Sequence, residues 1–552
     1  MDKRSALQNI DATLQRIGFQ YTGSGVADYS GSISVHGQPI DISLSIPDVS
    51  FVQKPRVFLK DRSQIPLETL AHVESGDGIC YASGAGLPID LYRPGEAILR
   101  ILDEVKRTLE LSYRGRAKLE IVDEYQQYWY PKLGVQVLLP KQQSSGGTDG
   151  FVFFASRNGQ VEFLCLDRRP ALRGYDVTFP EPARLRCVSE KLGPGGGIRA
   201  PKTLEDLRRW VDGQPALGVN WQVIFNELCQ GLTVFFAGPN AFVGVKMEVP
   251  KEIATAILRK SIRKQSLTKL LVNRMDKVSV ERYAGNWSSL DHVSSRNIPE
   301  RDNFKNISVA LIGGGTIGGY LSRLLVQSGA GMDGRLSIFD NQLLSEGNIG
   351  RHVLGFEYIG KPKALALKAE LERFHPQVSV RAFNENALDC WSQIANCDLI
   401  IDATGEWNVQ SALNDRFLAG RDFRAAALLH TWIFMNGAGV QSFLNLRDGL
   451  ACFRCLKTSF DGRWRYPAGD ERHVLNVQPA SCGDGSYVPF SADAAVMAAS
   501  LANRAALDWV SAKPGARLRT IAVDLERGRY QKPVSPTALK SCPACLGNSS
   551  SL

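Results

Sequence analysis

Residues 307–325 read ISVALIGGGTIGGYLSRLL, and this stretch decides the fold of the C-terminal half of the chain. An apolar run rich in Ile and Val leads into Gly313, Gly315 and Gly318, which have the spacing G-x-G-x-x-G. Apolar residues then recur at helical intervals, so the pattern predicts a strand, a tight turn and a helix. Such a turn can hold a phosphate, but the glycines alone do not distinguish a redox dinucleotide from ATP.

The region that follows alternates predicted strands with predicted helices, which is typical of a parallel sheet covered by helices. Its strands include residues 307–312, 335–339 and 398–401. Ligands of open α/β sheets bind outside the carboxyl ends of the strands, so polar residues at these ends are the candidates for a site.

Charged residues at these strand ends favour ATP over a nicotinamide dinucleotide. Asp340 follows the second strand and can accept from ribose hydroxyls, which fits either nucleotide. Asn348, Arg351 and Lys363 follow, and a cationic pair is what stabilises the charge of a triphosphate under attack. Asp402 ends the next strand and is predicted to hold Mg²⁺, which prefers oxygen ligands.

Length and charge narrow the class of protein. A chain of 552 residues is too long for a single hydrophobic core, since domains average about 150 residues. Three domains are predicted. The net charge of +9 is modest, and the basic residues 258–274 are interpreted as a solvated helix face, so no nucleic-acid partner is expected. No apolar run reaches the roughly 18 residues of a membrane helix, and the charged N-terminus is unlike a signal sequence. We therefore expect a cytoplasmic protein with no membrane partner.

The N-terminal region predicts a small α+β domain. A helix precedes residues 30–59, whose alternating pattern predicts an antiparallel meander with a turn at His36 and Gly37. A second amphipathic helix closes the domain, with these residues on one face: Ile98, Leu102, Val105 and Leu109.

Residues 117–293 combine strand and helix patterns with polar or Gly-rich loops at 142–150 and 193–197. The aromatic stretch at residues 123–131 is interpreted as a packing element. This middle region presents no recognisable site.

The chain has 11 cysteines and no predicted export signal, which disfavours a disulfide framework. Two C-x-x-C pairs have ligand spacing for a tetrahedral Zn²⁺ site. They lie far apart in sequence, so the metal would be structural and would fasten the C-terminal segment to the domain. The four predicted ligands are Cys452, Cys455, Cys542 and Cys545.

These motifs, taken in order, resemble the adenylation domain of ubiquitin-activating enzymes and of their bacterial ThiF-type relatives in molybdopterin and thiamine synthesis. The resemblance covers about residues 306–545 and implies a homodimer in which an arginine of the partner, at Arg296 or Arg301, completes the ATP site. Cys482 lies in a Gly-rich segment before a long Ala-rich stretch. Its position resembles that of the thioester cysteine of activating enzymes, which implies that role.

Cys80 lies in HVESGDGICYASG, and the segment containing it resembles the core of a ubiquitin-conjugating enzyme. His72 and Cys80 match the His and the Gly-Ile-Cys triplet of that family. The usual Asn after the His is absent, because Val73 and Glu74 follow, and His72 is interpreted as structural rather than catalytic.

A conjugating-like domain and an activating domain in one chain resemble the bacterial activating–conjugating fusions associated with CD-NTases in CBASS anti-phage operons. The predicted fold is a multidomain α/β protein, with a ubiquitin-conjugating-like domain at 1–116, a middle domain at 117–293 and a Rossmann-like adenylation domain at 294–552. The resemblance implies that ATP, Mg²⁺ and structural Zn²⁺ are cofactors and that the substrate is the C-terminus of a cGAS-like CD-NTase. That carboxylate would be adenylated, joined to Cys482, passed to Cys80 and ligated to a target amine.

Two alternatives remain open on the sequence. A sulfur-carrier activating enzyme would use no second cysteine, so Cys80 would be a core residue and a Cys80→Ala variant would retain activity. A redox or scaffolding protein would bind NAD and would show no ATP–pyrophosphate exchange.

Overall fold

The computed structural model describes residues 3–545 except 24–26, 66–70, 74–75, 82–88, 91, 114–116, 130–131, 141–147, 158–161, 167–180, 199, 229–230, 259–263, 299–301, 421–423, 460 and 480–485. The described residues form two compact units. The first contains residues 3–137 and the described part of 142–286, and the second contains 287–545 with the short segment 138–140.

The first unit begins with an antiparallel four-stranded sheet against which two helices pack, as the sequence predicts. The turn between the two long strands contains His36 and Gly37, both at positive φ, which is the two-residue hairpin geometry. All four apolar residues predicted on one face of the second helix are buried in this core. The elements are α1 (Lys3–Arg16), β1 (Gln20–Tyr21), β2 (Asp28–Val35), β3 (Gln38–Ser45), β4 (Arg56–Leu59) and α2 (Pro94–Tyr113).

The rest of the first unit is built on a closed seven-stranded barrel, with strand order β10-β11-β5-β7-β6-β8-β9. Closure leaves no unpaired edge strand. The sequence predicts mixed strands and helices here but not their closure, because pairings between strands distant in sequence leave no local pattern. The elements are α3 (Ala117–Asp123), β5 (Leu133–Val137), β6 (Thr148–Arg157), β7 (Glu162–Leu166), β8 (Glu181–Cys187), α4 (Leu204–Asp212), α5 (Trp221–Leu228), β9 (Leu232–Ala237), β10 (Phe242–Glu248), α6 (Lys251–Leu258), α7 (Lys264–Val272) and β11 (Ser279–Trp287).

The aromatic stretch after α3 packs into this part of the unit. Tyr125 stacks on Trp210 of α4 at a centroid distance of 6.4 Å, and Trp129 meets the same ring edge-on at 5.0 Å. The predicted packing role of these residues is therefore confirmed.

The second unit is a seven-stranded sheet of order β14-β13-β12-β15-β16-β17-β20, covered by helices. The strands from β14 to β16 are parallel, and β17 and β20 are antiparallel additions at one edge. The elements are α8 (Leu290–Arg296), β12 (Val309–Ile312), α9 (Thr316–Gln327), β13 (Leu336–Phe339), α10 (Glu346–Ile349), α11 (Lys363–Phe374), β14 (Val380–Phe383), α12 (Trp391–Ala395), β15 (Leu399–Asp402), α13 (Trp407–Ala419), β16 (Ala427–Phe434), β17 (Gly439–Asn445), β18 (Gln478–Pro479), β19 (Ser486–Tyr487), α14 (Ala492–Val510) and β20 (Leu518–Ala522).

This topology places a crevice at the carboxyl ends of β12 and β15. The chain runs from β12 outward to β13 and β14, then returns to β15 on the other side of β12. A reversal of this kind opens a crevice where ligands of doubly wound sheets bind. The small side chains of α14 allow it to pack closely on β16, β17 and α9, with seven alanines buried: Ala494, Ala495, Ala498, Ala499, Ala502, Ala505 and Ala506.

The domain boundaries predicted after residues 116 and 293 stay predictions. Among the described residues, none of the helices has the length and apolar character needed to cross a membrane.

Candidate functional site

The Gly-rich turn joins β12 to α9 as the sequence predicts. Gly313 adopts φ +87°, a conformation that L side chains rarely take. A Cβ at Gly318 would lie 1.8 Å from the carbonyl oxygen of Gly313, so only glycine lets the helix start this close to the strand. Gly315 caps α9 and lines a cavity, which leaves the first amides of that helix available for an anion.

Asp340 holds this turn from the end of β13. One carboxylate oxygen accepts from the backbone N–H of Gly314 at 2.7 Å, and the other accepts from that of Gln342 at 2.7 Å. Asp340 also lines the cavity. The predicted ribose contact is therefore compatible with its position, and the carboxylate has a second function in fixing the turn.

His352 is a part of this arrangement that the sequence analysis did not identify. Its Nδ1 accepts from the amide of Leu354 at 3.0 Å, so the ring proton lies on Nε2, which donates to the carbonyl of Gly314 at 2.8 Å. The ring is buried, and burial lowers its pKa below the ordinary 6.5. His352 is therefore a neutral donor that holds the Gly-rich turn from the side opposite Asp340.

The two predicted cations differ in exposure. Arg351 lines the cavity, and its guanidinium lies over the rings of Tyr487 and Phe490, at 5.6 Å and 5.1 Å from their centroids. Lys363 is buried at the start of α11, where its Nζ donates to Gln342 Oε1 at 2.8 Å. Burial lowers the pKa of Lys363, and the charge of Asp340 opposes that effect.

The cavity occupies about 730 Å³ at the carboxyl ends of β12, β13 and β15. Four sequence-predicted residues line it: Gly313, Gly315, Asp340 and Arg351. Gly318, Asn348, Lys363 and Asp402 lie outside its lining. The carboxylates that line it are Asp340, Glu385 and Glu406, and the last two were not identified from the sequence because neither belongs to a recognisable motif.

Asn348 has a local structural role. Its side-chain oxygen accepts from the backbone N–H of Ser345 at 3.1 Å, which completes a capping box at the start of α10. Its predicted contact with ATP stays a prediction.

Asp402 is fully buried at the end of β15. One of its oxygens accepts from the N–H and the hydroxyl of Thr404, at 3.0 Å and 2.7 Å, and the other is 2.8 Å from Nδ1 of His430. Both oxygens are thus occupied by protein groups. Asp402 is therefore held by protein groups and lies outside the lining of the cavity, and its predicted contact with magnesium stays a prediction.

The two C-x-x-C pairs meet in space. The Sγ atoms of Cys452 and Cys455 are 3.8 Å apart, and each lies 3.6 Å from a thiol of the second pair, Cys542 and Cys545 respectively. All four Sγ atoms lie within 4.8 Å of one another. A tetrahedron with Zn–S bonds of about 2.3 Å has edges of about 3.8 Å, so the donor set fits Zn²⁺.

The four thiols are close enough to shift one another's pKa values. Burial raises the pKa of Cys545 to about 12, and a hydrogen bond to Cys455 together with burial raises the pKa of Cys452. That same bond lowers the pKa of Cys455, whose sulfur also accepts from the amide of Leu539 at 3.3 Å. Four thiolates this close repel one another, and a dication between them removes that cost.

Cys80, in the first unit, is exposed and forms no disulfide. Its backbone N–H donates to the carbonyl of His72 at 2.8 Å. His72 has φ +58°, and its own N–H donates to the hydroxyl of Tyr128 at 2.8 Å.

The imidazole of His72 lies between two carboxylates of the segment that begins with α3. Its Nε2 is 3.5 Å from Glu120, and its Nδ1 is 3.3 Å from Glu124. The structural role predicted for His72 is consistent with these contacts. Glu120, Glu124 and Tyr128 were missed because they lie beyond the predicted domain end at residue 116.

Two predicted residues, Cys482 and Arg301, fall outside the residues that the structure describes. Cys482 belongs to the segment between β18 and β19. Arg296 is described and is exposed at the last residue of α8. Its part in a neighbouring ATP site stays a prediction.

Two parts of the chain match known protein families. Residues 291–544 match the ThiF family, and residues 6–136 match Prokaryotic E2 family B. The second match continues past residue 116 and includes α3, Glu120, Glu124 and Tyr128.

Two relatives align with more than nine-tenths of the chain. The ATP-dependent ubiquitin transferase-like protein Cap2 of Vibrio cholerae is 30% identical over 564 residues, covering 91% of this chain and 93% of that protein. Cap2 of Pseudomonas aeruginosa is 26% identical over 576 residues, covering 99% of this chain and all of that protein. The crystal structure of E. coli MccB with ATP has 17% sequence identity and a TM-score of 0.35, covering 53% of this chain and 84% of that one. This last similarity is too weak to carry an argument.

Proposed function

Because the chain belongs to the Cap2 family of ATP-dependent ubiquitin transferase-like proteins, we propose that it activates the C-terminal carboxylate of a partner protein with ATP and transfers the acyl group through two cysteines to an amine. The observation that carries the proposal is the cavity at the Gly-rich turn. It combines helix N-terminal amides, Asp340 and Arg351 at one switch point of the sheet.

The first step is attack of the partner's carboxylate oxygen on the α-phosphorus of ATP, with departure of pyrophosphate. The amides after Gly315 are placed to receive phosphate oxygens, and Arg351 supplies positive charge within the cavity. Lys363 does not line the cavity itself but donates from Nζ to Gln342, which does. In the complex with ATP, a phosphate oxygen would replace Gln342 as the acceptor of this hydrogen bond. The lining carboxylates Asp340, Glu385 and Glu406 would offer oxygen ligands to the magnesium that accompanies ATP, which would neutralise phosphate charge.

In the second step, we propose that the Cys482 thiolate attacks the acyl carbon and AMP departs. The thiolate of Cys80 then takes the acyl group and releases Cys482, and a target amine attacks the second thioester to form an amide. The exposure of Cys80 supports its part in this relay. Dividing amide formation into activated stages lowers the barrier of each.

The resemblance to CBASS fusion proteins extends the proposal to the partner and the setting. The activated carboxylate would be the C-terminus of a cGAS-like CD-NTase, and the reaction would take place in the cytoplasm. The enzyme would act as a homodimer with ATP and Mg²⁺, and with Zn²⁺ at the cysteine cluster. Arg296 or Arg301 of one protomer would complete the ATP site of the other.

The test of the activation step is ATP–pyrophosphate exchange in the presence of the partner. Lys363→Met is expected to lower the exchange rate by about 100-fold, because a buried cation beside the triphosphate is lost. Lys361→Met is the matched control, since Lys361 is exposed two residues earlier and should leave exchange intact. Exchange that is equal in both variants would contradict the placement of ATP.

The test of the relay is a non-reducing gel of the protein incubated with ATP, Mg²⁺ and the partner. A reducible adduct is expected to disappear in Cys482→Ala and to stop at the first cysteine in Cys80→Ala. If neither substitution changes the adduct, both cysteine assignments are wrong.

A further inference from the structure

Asp402 and His430 form a fully buried pair beneath the nucleotide cavity. They are opposite residues of the neighbouring parallel strands β15 and β16, and neither side chain has any exposed surface. Asp402 Oδ2 and His430 Nδ1 are 2.8 Å apart. A charge this deeply buried is stable only while its partners remain in place.

The second oxygen of Asp402 holds the turn that follows β15. It accepts from both the N–H and the hydroxyl of Thr404, and residues 403–406 after it all line the cavity. This turn also packs against the Gly-rich turn, because a Cβ at Gly313 would lie 3.1 Å from the backbone nitrogen of Thr404. Displacement of Asp402 would therefore alter two walls of the cavity together.

The other side of His430 is covered by Phe453, whose ring centroid is 4.5 Å from that of the imidazole. Phe453 lies between Cys452 and Cys455 and is anchored by donation from its N–H to Asn414 Oδ1 at 2.9 Å. Within the described part of the chain, His430 Nε2 is buried without a hydrogen-bond partner. The ring is thus fixed by Asp402 and by packing alone.

We propose that Asp402 and His430 are positioning residues that fix the 403–406 turn for ATP, and that Asp402 does not bind magnesium. The inference rests on the proposed function, since it assumes that the cavity takes Mg-ATP. In this proposal Asp402 does not act as a metal ligand. It is one member of a series of contacts that runs from Phe453 through His430 and Asp402 to Thr404.

Binding of a non-hydrolysable ATP analogue to the full-length protein tests the proposal by calorimetry, without any partner protein. His430→Leu removes the bond to Asp402 and is expected to weaken binding at saturating Mg²⁺ by about tenfold or more, because the carboxylate loses a charge-assisted partner. His430→Asn keeps a donor for Asp402 and is expected to restore affinity to within about threefold. Zinc content and melting temperature confirm that each variant is folded.

Asp402→Asn separates the two roles of Asp402. The amide keeps the size of the side chain and an acceptor for Thr404, and His430 can change tautomer to accept from it. If Asp402 is a positioning residue, the Mg²⁺ concentration needed for half-saturation should be the same in this variant as in the parent. If Asp402 is a metal ligand, that concentration should rise by about tenfold or more. That rise overturns the proposal, as does a folded His430→Leu variant that binds ATP as tightly as the parent.

If His430→Leu does not fold, the Mg²⁺ titration of Asp402→Asn decides the matter. Failure of the proposed function is a different result, because the unmodified protein would then not bind the ATP analogue at all.

Discussion

Asp340 accepts a hydrogen bond from the backbone N–H of Gly314 at 2.7 Å, across the gap between the first two strands of the adenylation sheet. His352 accepts nothing from that residue but donates to its carbonyl, so the peptide groups on both sides of Gly314 are held by side chains. The Gly-rich turn is consequently fixed by contacts within the protein itself.

Asp340→Asn should weaken ATP binding by about 10- to 100-fold, because a hydrogen bond to a charged acceptor contributes about 1.5–3 kcal/mol. The side-chain oxygen of asparagine can accept from only one of the two backbone N–H groups, those of Gly314 and Gln342. Its NH₂ group would then face the other N–H, so two donors would lie opposite each other. Titration calorimetry with an ATP analogue measures the effect. Asp333→Asn, at an exposed aspartate of the same unit, serves as control, and equal affinities in the two variants would show that Asp340 does not hold the turn.

Acidification should destabilise the second unit through His352. Burial lowers its pKa below 6.5, so the folded state binds fewer protons than the unfolded state, and the stability it contributes is present above 6.5 and lost as pH falls below it. The melting temperature should therefore decrease between about pH 7.5 and about pH 5.5, and His352→Gln should flatten that slope.

His375 provides the matched comparison for this pH effect. It has the same bond pattern, with Nε2 bonded to the carbonyl of Ser288 and Nδ1 accepting from Gln377, and burial lowers its pKa as well. His375→Gln should flatten the slope without changing ATP affinity, because its ring bonds to Ser288 and Gln377 and not to the Gly-rich turn. A slope that persists when both histidines are replaced would locate the effect elsewhere.

Cys545→Ser should abolish binding of one zinc ion per chain and lower the free energy of unfolding. A loss of about 2 kcal/mol corresponds to a decrease of about 4–8 °C in melting temperature for a unit of this size. Metal analysis and thermal melting measure the two effects. Cys397→Ser is the control, since this buried thiol lies outside the cluster and should leave the zinc content unchanged.

Tyr128→Phe should slow transfer through Cys80 without unfolding the protein. The hydroxyl is the acceptor for the N–H of His72, whose positive φ is costly and whose carbonyl holds the amide of Cys80. The rate of Cys80 alkylation and of the second thioester transfer should both fall, by about tenfold. Tyr125→Phe, in the same stretch, is the comparison, and equal rates in the two variants would remove Tyr128 from the Cys80 site.

The sequence predicts well wherever chemistry is encoded by spacing. The G-x-G-x-x-G turn, the strand ending at Asp340 and the meeting of two C-x-x-C pairs 90 residues apart all follow from local patterns. His352, His430 and Tyr128 could not be predicted in the same way. Each acts through a partner distant in sequence, and a single His or Tyr in an apolar stretch resembles any other core residue.

Asp402 illustrates the limit of strand-end reasoning. Its position at the end of β15 is predicted correctly, but the sequence does not show which way the side chain turns, and the carboxylate lies outside the lining of the cavity. The buried His430 on the next strand draws it inward. The sequence contains both residues, but it does not show that the pairing of β15 with β16 places them opposite each other.

The cysteine cluster brings together two short segments, one with Cys452 and Cys455 and the other with Cys542 and Cys545. The chain between them forms a long closed loop that contains β18, β19, α14 and β20. The entropy cost of closing a flexible loop grows slowly, by about 0.6 kcal/mol for each doubling of length. Once its ends are fastened, such a loop tolerates insertions far better than a strand of the sheet does. Added length between these elements should therefore cost the fold less than added length within β17 or β20, as long as the four cysteines keep their places.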